Sequence, residues 1–235
     1  MLINPSHSSS LATVTHNGPV SDPIRVLLVD DHPAVRLGMR QLIDGQSDMR
    51  VVTAVAGARE ALSQTEWPID VAIVDYHLGD AEDGLWLTTH LKRIASPPQV
   101  LVYTAFADGA LAVATVIAGA DGLLGKHELG DELCCAIRRL ARGQHNLPAI
   151  SPSIAHAMRP RFGRGDQAIF SMLLHGVAPD AIAAALSVTP EELDERRSIM
   201  LRSLKPVSAR SGLARGARVP LDYERPKRRL SRWAA

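Results

Sequence analysis

Short aliphatic runs recur along the first 126 residues, each closed by a polar or turn-forming group. Ile24 to Val29 runs into Asp30-Asp31-His32, Arg50 to Val55 forms a second run, and Val71 to Val74 ends at Asp75. Val100 to Tyr103 ends at Thr104-Ala105, and Gly122 to Leu124 is followed shortly by Lys126. Runs of this length, rich in Val, Ile and Leu and bounded by turn signals, read as buried parallel strands. Between them the apolar spacing becomes helical. From Pro33 a face of Val35, Leu37, Met39, Leu42 and Ile43 begins, and further helices are predicted over Ala58–Gln64, Leu85–Ile94, Gly109–Gly119 and Glu128–Arg142. Five strands alternating with five helices predict an α/β domain over 24–142 with a doubly wound, five-stranded parallel sheet.

The pattern then changes. Residues 143–165 carry Pro148, Pro152, Pro160, Gly163 and Gly165, the composition of a linker, with one short helical stretch at Ser153–Met158. Asp166–His175, Pro179–Leu186 and Pro190–Leu204 read as three helices separated by tight turns, a small all-α domain over 166–217. Thr189 is the expected N-cap of the last helix, with Pro190 in its first turn and Glu192 as reciprocal capping partner. The final two helices have the spacing of a helix-turn-helix, a module that places its second helix in the DNA major groove. Residues 1–23, rich in Ser, Thr, Asn, Pro and Gly, read as a disordered leader.

Charge sharpens the division. The whole chain is at +1, but Lys205 to Ala235 holds nine Lys and Arg against Asp222 and Glu224, a net +7. The remainder is therefore acidic, and residues 218–235 read as a basic tail suited to an acidic partner such as nucleic acid. Aromatics are only 4% of the chain, so the core is expected from Val, Ile, Leu and Ala. Cys134 and Cys135 are adjacent and the sole cysteines, which supports neither a disulfide framework nor a structural zinc site. No stretch approaches the length of a membrane span and no secretory signal precedes the first strand, so a cytoplasmic protein is expected. Gly109–Gly119 has no charged residue between Asp108 and Asp121. A helix apolar on all sides is normally buried, and a peripheral place in this fold predicts that it packs on a partner or a second copy, a homodimer.

The strand ends bring together Asp30, Asp31, Asp75, Thr104 and Lys126. Three converging carboxylates repel one another unless a cation lies among them, and an oxygen-ligand set suits Mg²⁺. Such an ion neutralises charge on a transferring phosphoryl group and leaves Asp75 as the nucleophile. Thr104 and Lys126 would then contact the phosphoryl oxygens.

Four segments carry a resemblance: Val26-Leu-Leu-Val-Asp-Asp-His-Pro33, Ile73-Val-Asp-Tyr-His-Leu78, Val102-Tyr-Thr-Ala105 and Ala118-Gly-Ala-Asp-Gly-Leu-Leu-Gly-Lys126. They resemble the flavodoxin-like receiver domain of bacterial two-component response regulators, with a start typical of the NarL/FixJ (LuxR-type) branch. The resemblance implies a phosphoprotein in phosphorelay signal transduction, not an enzyme, with Asp75 phosphorylated by a sensor histidine kinase. It implies Mg²⁺ ligation by Asp31, Asp75 and the His77 carbonyl, with Asp30 acting through water. The chain departs from the family at Gly79, where Pro is usual, in a loop one residue longer before Asp83-Gly84, and at Leu123, where many receivers have Tyr or Phe.

Gly176–Leu204 resembles the LuxR-type DNA-binding effector, Leu213–Ala217 is similar to part of its fourth helix, and Ser151-Pro-Ser-Ile-Ala155 resembles its linker helix. Arg196, Arg197 and Arg202 are the expected phosphate contacts. The helix nevertheless opens Pro-Glu-Glu-Leu-Asp-Glu, with Asp194 where the family has Lys, and acidic residues oppose a duplex. The leading expectation is a phosphorylation-controlled transcription regulator that binds double-stranded DNA. The alternative is an adaptor whose helix-turn-helix binds protein. A dehalogenase-like phosphotransferase also uses Asp, Thr, Lys and Mg²⁺, but with the nucleophile after the first strand in Asp-x-Asp spacing, which this chain lacks.

Overall fold

Five strands, β1 (Ile24–Val29), β2 (Met49–Val55), β3 (Val71–Val74), β4 (Gln99–Thr104) and β5 (Gly122–Gly125), form one all-parallel sheet in the order β2-β1-β3-β4-β5. The computed structural model describes residues 22–64, 68–79, 82–105, 107–128 and 130–204. Residues 1–21 of the expected leader, the expected helix at Leu213–Ala217 and the basic tail lie outside them. The chain reverses its direction of winding between β1 and β3, which are hydrogen-bonded neighbours from Val26↔Val71 to Val29↔Val74. In an open α/β sheet the crevice at that reversal, at the carboxyl ends of the strands, is where ligands bind.

Period-two alternation distributes the strand side chains between two cores. Leu27, Val29, Ala72, Val74, Val100, Val102 and Leu123 face α2 (Ala58–Gln64), α3 (Gly84–Leu91) and α4 (Gly109–Ala118). Val26, Leu28, Val71, Ile73, Leu101, Tyr103 and Leu124 face α1 (Pro33–Asp44) and α5 (Gly130–Ala141). Every β3 and β5 residue is buried, as strands covered on both faces must be.

Several boundaries differ from those read in the sequence. α3 stops at Leu91 rather than Ile94, because the Arg93 amide bonds to the His90 carbonyl and tightens the chain into turns. The Lys92 ammonium meanwhile reaches Asp121 Oδ2 at 2.6 Å and the Pro98 carbonyl at 3.1 Å. α5 begins at Gly130 rather than Glu128, whose amide closes a turn onto Gly125.

Beyond α5, the segment read as linker contains α6 (Pro152–Met158), a 3₁₀ turn over Arg159–Arg161 and the start of α7 (Arg164–Leu174). α8 (Pro179–Leu186) and α9 (Pro190–Leu204) complete the described chain. The capping box forms as expected, with Thr189 N–H donating to Glu192 Oε2 at 3.0 Å and Glu192 N–H donating to Thr189 Oγ1 at 3.2 Å.

One expectation is overturned. α4 does not leave an apolar surface for a second copy, because α6, α7 and α9 of the same chain pack over it. Leu111, Val113, Ala114 and Ile117 are all buried, in one continuous core with Ile154, Phe162, Ile169, Phe170, Leu193, Met200 and Leu201. A helix apolar all round needs cover on every side, and the helical domain supplies it. Cys134 is buried and Cys135 exposed, both free. Among the described residues no helix is long and apolar enough to cross a membrane.

Candidate functional site

β1 and β3 deliver Asp30 and Asp75 side by side at the carboxyl edge, and the β5 end brings Lys126 between them. Lys126 Nζ lies 2.6 Å from Asp30 Oδ2 and 2.7 Å from Asp75 Oδ2. Both carboxylates are buried, at 1% and 4% exposure. Backbone bonds fix these positions: Asp75 N–H donates to the Val29 carbonyl at 2.8 Å, and Lys126 N–H donates to the Thr104 carbonyl at 2.7 Å. Burial alone would lower the Lys126 pKa, but the hydrogen bonds and negative charge of Asp30 and Asp75 outweigh it and hold it above the usual lysine value.

Asp31, the third carboxylate, stands at the rim. Its Oδ1 is enclosed and accepts no aligned hydrogen bond, although His32 Nδ1 approaches to 2.6 Å. Ligand atoms of Asp30, Asp31, His32 and Asp75 lie within 4.8 Å of one another. An enclosed, under-used carboxylate oxygen beside two more carboxylates is a donor set that fits a hard divalent cation. Asp30, Asp31 and Asp75 are the side chains that would hold it. His77 stands two residues beyond Asp75 in the following loop, its ring edge-on to Tyr76 at 4.5 Å between centroids.

The loop from β3 to α3 is pressed onto this site. A Cβ at Gly84 would lie 2.0 Å from the Asp75 carbonyl oxygen, so no other residue permits that approach. The Gly84 amide bonds back to the Tyr76 carbonyl, and Asp83 caps α3 through Trp86 N–H at 2.8 Å. A Cβ at Gly79 would sit 3.3 Å from Asp31 Oδ2, so the loop also passes over the rim carboxylate. Arg36 pins the other side, donating to the Asp30 carbonyl at 2.5 Å. Gly84 and Arg36 escaped sequence reading. An Asp-Gly pair after the loop was a visible signal for the first, but an α1 arginine bonded to a backbone carbonyl leaves none.

The chain and its parallel-sheet fold have counterparts among known proteins. Residues 26–138 match the response regulator receiver domain family. The response regulator protein VraR of Staphylococcus aureus (strain NCTC 8325 / PS 47) is 27% identical over 183 residues, covering 77% of this chain and 85% of that protein. A LuxR-family two-component response regulator from Aurantimonas sp. SI85-9A1 is 33% identical, with a TM-score of 0.50, over 57% of this chain and 94% of that structure. The chain belongs to the NarL/FixJ-type response regulators. A structure of two RcsB dimers bound to two parallel DNAs, at 19% identity and a TM-score of 0.51, covers 79% of this chain and 94% of that one and shares the fold.

In this response regulator the effector helix α9 is docked on the receiver. Arg197, expected at a DNA phosphate, is 7% exposed and donates through Nε to the Ile117 carbonyl at the end of α4, at 2.8 Å. Its Nη1 reaches Asp194 Oδ1 at 3.0 Å, and Asp194 Oδ2 accepts from Arg93 of the receiver at 2.8 Å. Asp194, the residue that departs from the family pattern, is therefore a bridge between domains. Burial lowers the Arg197 pKa, partly countered by the Asp194 carboxylate.

The other two arginines take different directions. Arg196 Nη1 lies 3.7 Å from Asp166 on α7, and Arg202 lines a groove of about 280 Å³ with Trp86, His90 and Arg93. The three do not share one face. At the opposite end of α4, Asp108 caps the helix through Leu111 N–H at 2.8 Å, and Gly109 is in close contact with Ile154 of α6. Five residues of chain thus connect Thr104, fully buried at the end of β4, to the linker helix.

Proposed function

We propose that this chain is a phosphorylation-controlled transcription regulator, with Asp75 accepting a phosphoryl group from a sensor histidine kinase. The observation that carries the reading is Lys126, held between Asp30 and Asp75 at the β1/β3 crevice. An Asp75 carboxylate oxygen attacks the phosphorus of the kinase phosphohistidine. The P–N bond breaks, the imidazole leaves with its electron pair and takes up a proton, and an acyl phosphate forms on Asp75. Lys126, already hydrogen-bonded to Asp75 Oδ2, follows the charge onto the phosphoryl oxygens. Thr104 supplies a hydroxyl from the next strand. Asp30, Asp31 and Asp75, with the His77 carbonyl, would hold Mg²⁺, which would supply charge neutralisation for the transfer.

Labelling with a small-molecule phosphodonor tests the acceptor. The wild-type chain should gain one phosphoryl group, and Asp75→Asn none. Undiminished labelling of Asp75→Asn would place the acceptor elsewhere.

The output half of the reading is that the effector binds double-stranded DNA. Because α4 occupies the α9 face that holds Arg197, α9 can enter a major groove with that face only after the domains part. The same burial, with Asp194 committed to Arg93, supports the second reading, an adaptor whose effector binds protein. Duplex titration across a salt series separates them. A DNA-binding regulator shows affinity that falls steeply with salt and depends on sequence, whereas an adaptor binds no duplex even at low salt.

A further inference from the structure

Four arginines gather around the start of α7, and the phosphoryl site uses none of them. Arg159 and Arg161 flank Pro160 in the 3₁₀ turn, Arg164 opens α7, and Arg196 reaches over from α9. The turn packs against α9, Arg159 Nε donates to Gln167 Oε1 at 3.3 Å, and the Arg196 guanidinium lies against Gly165, where a Cβ would be 3.3 Å from its Nη1. Three elements, the 3₁₀ turn, α7 and α9, thus present one basic ridge.

Its charge is largely uncompensated. Arg159, Arg161 and Arg164 are exposed, and the Arg196 side chain retains 41% exposure. Among the described residues Arg161 and Arg164 meet no carboxylate within 4.0 Å, and Asp166, four-fifths covered, pairs only with Arg196. No acidic residue occurs between Glu132 and Asp166 in the sequence. The exposed carboxylates of α9, Glu191, Glu192 and Glu195, lie in its first two turns, with Glu192 tied to the Thr189 amide. Like charges held together on a surface are unfavourable unless an anionic partner meets them. The ridge also lacks the buried aromatic or aliphatic anchor of a protein interface: among the described residues the exposed large apolar side chains are Leu37 and Ile199, neither of them in it.

We propose that Arg159, Arg161, Arg164 and Arg196 form a phosphate-contacting ridge by which the effector grips the backbone of a nucleic-acid duplex without reading its bases. Guanidinium forks match phosphate oxygens in pairs, and such contacts position a protein on DNA while carrying no sequence information. This rests on the DNA-binding reading and relocates its electrostatic contacts from the buried α9 face to a surface that stays open while the domains are docked.

The test is duplex binding by the full chain, using a labelled duplex of arbitrary sequence in a salt series. Each phosphate contact contributes about 0.9 to the slope of log affinity against log salt. The triple variant Arg159→Ala/Arg161→Ala/Arg164→Ala should lower the slope by about 2.7, three contacts at that value. The corresponding Arg→Lys triple should keep it. So should a charge-matched receiver triple, Arg50→Ala/Arg139→Ala/Arg142→Ala. A wild-type slope in the ridge alanine triple, or an equal loss in the receiver triple, overturns the ridge and leaves DNA binding standing. Absence of duplex binding by the wild type at low salt overturns the DNA-binding reading and the ridge together. Melting curves of the variants identify any that fail to fold, in which case Arg161→Ala and Arg164→Ala singles, each expected to lose about 0.9 of slope, decide the matter.

Discussion

Asp30, Asp31 and Asp75 place three carboxylates at one sheet edge, and the Lys126 ammonium answers two of them. The enclosed Asp31 Oδ1 is where the arrangement is least satisfied. A divalent cation that binds the folded chain and not the unfolded one stabilises it by mass action, by about 2.7 kcal/mol at a hundredfold excess over Kd. Adding Mg²⁺ should therefore raise the thermal midpoint, chelation should reverse it, and Asp31→Asn should blunt the response. A midpoint insensitive to Mg²⁺ would remove the cation from the site.

Lys126 adds a pH dependence of defined sign. Its pKa is raised in the fold, so its stabilisation is complete below the unfolded lysine value of about 10.4 and is lost as pH rises through the folded value. Tyr76 and Tyr103, raised chiefly by burial, act in the same direction. Stability should fall on the alkaline side above about pH 10, and Lys126→Met should show a shallower fall, read by thermal melts. Gly84 makes the sharpest steric prediction: Gly84→Ala drives a methyl into the Asp75 carbonyl, so a loss of about 3 kcal/mol in denaturant unfolding, with slower phosphodonor labelling, is expected.

At the scale of elements, α4 and α9 explain each other. α4 lacks charge because its outer side is covered by the effector, and α9 carries Asp194 because that carboxylate joins Arg93 to Arg197. Arg197→Ala removes the bond to the Ile117 carbonyl and leaves Asp194 with one partner, a loss of about 2 kcal/mol for a buried charged hydrogen bond. The loss should appear as a lower midpoint and faster proteolysis within 143–165. Gly119 ends α4 at φ +81°, and a Cβ there would meet Arg197 Nη2 at 2.5 Å. Gly119→Ala should therefore combine left-handed strain with displacement of the arginine and reproduce the Arg197→Ala proteolysis pattern. The absence of charge in α4 was legible in the sequence. Its cover was not, since an apolar stripe states that something packs on it and never what.

For the whole molecule, receiver and effector share one hydrophobic core running from Leu27 through Ile117 to Leu204. Two domains joined only by a linker would unfold separately, whereas a shared core couples them. Calorimetry should show one transition for the full chain, and Arg197→Ala should split or broaden it. The path along the chain from the sheet edge to the linker helix is correspondingly short. Thr104 at the end of β4 and Gly109, seated against Ile154, stand five positions apart in the chain, between the sheet edge and the linker helix.

The strands, their order of carboxylates, hydroxyl and lysine, and the three effector helices were determined by the sequence alone. They depend on local periodicity and on which residue closes each run, and both are written along the chain. The ion pairs by which Lys126 bridges Asp30 and Asp75, the press of Gly84 on the Asp75 carbonyl, the burial of Arg197 and the approach of Arg196 to Gly165 were decided only by tertiary structure. Each joins residues brought together by chain reversal, and the periodicity of one segment holds no information about the face of another that will cover it.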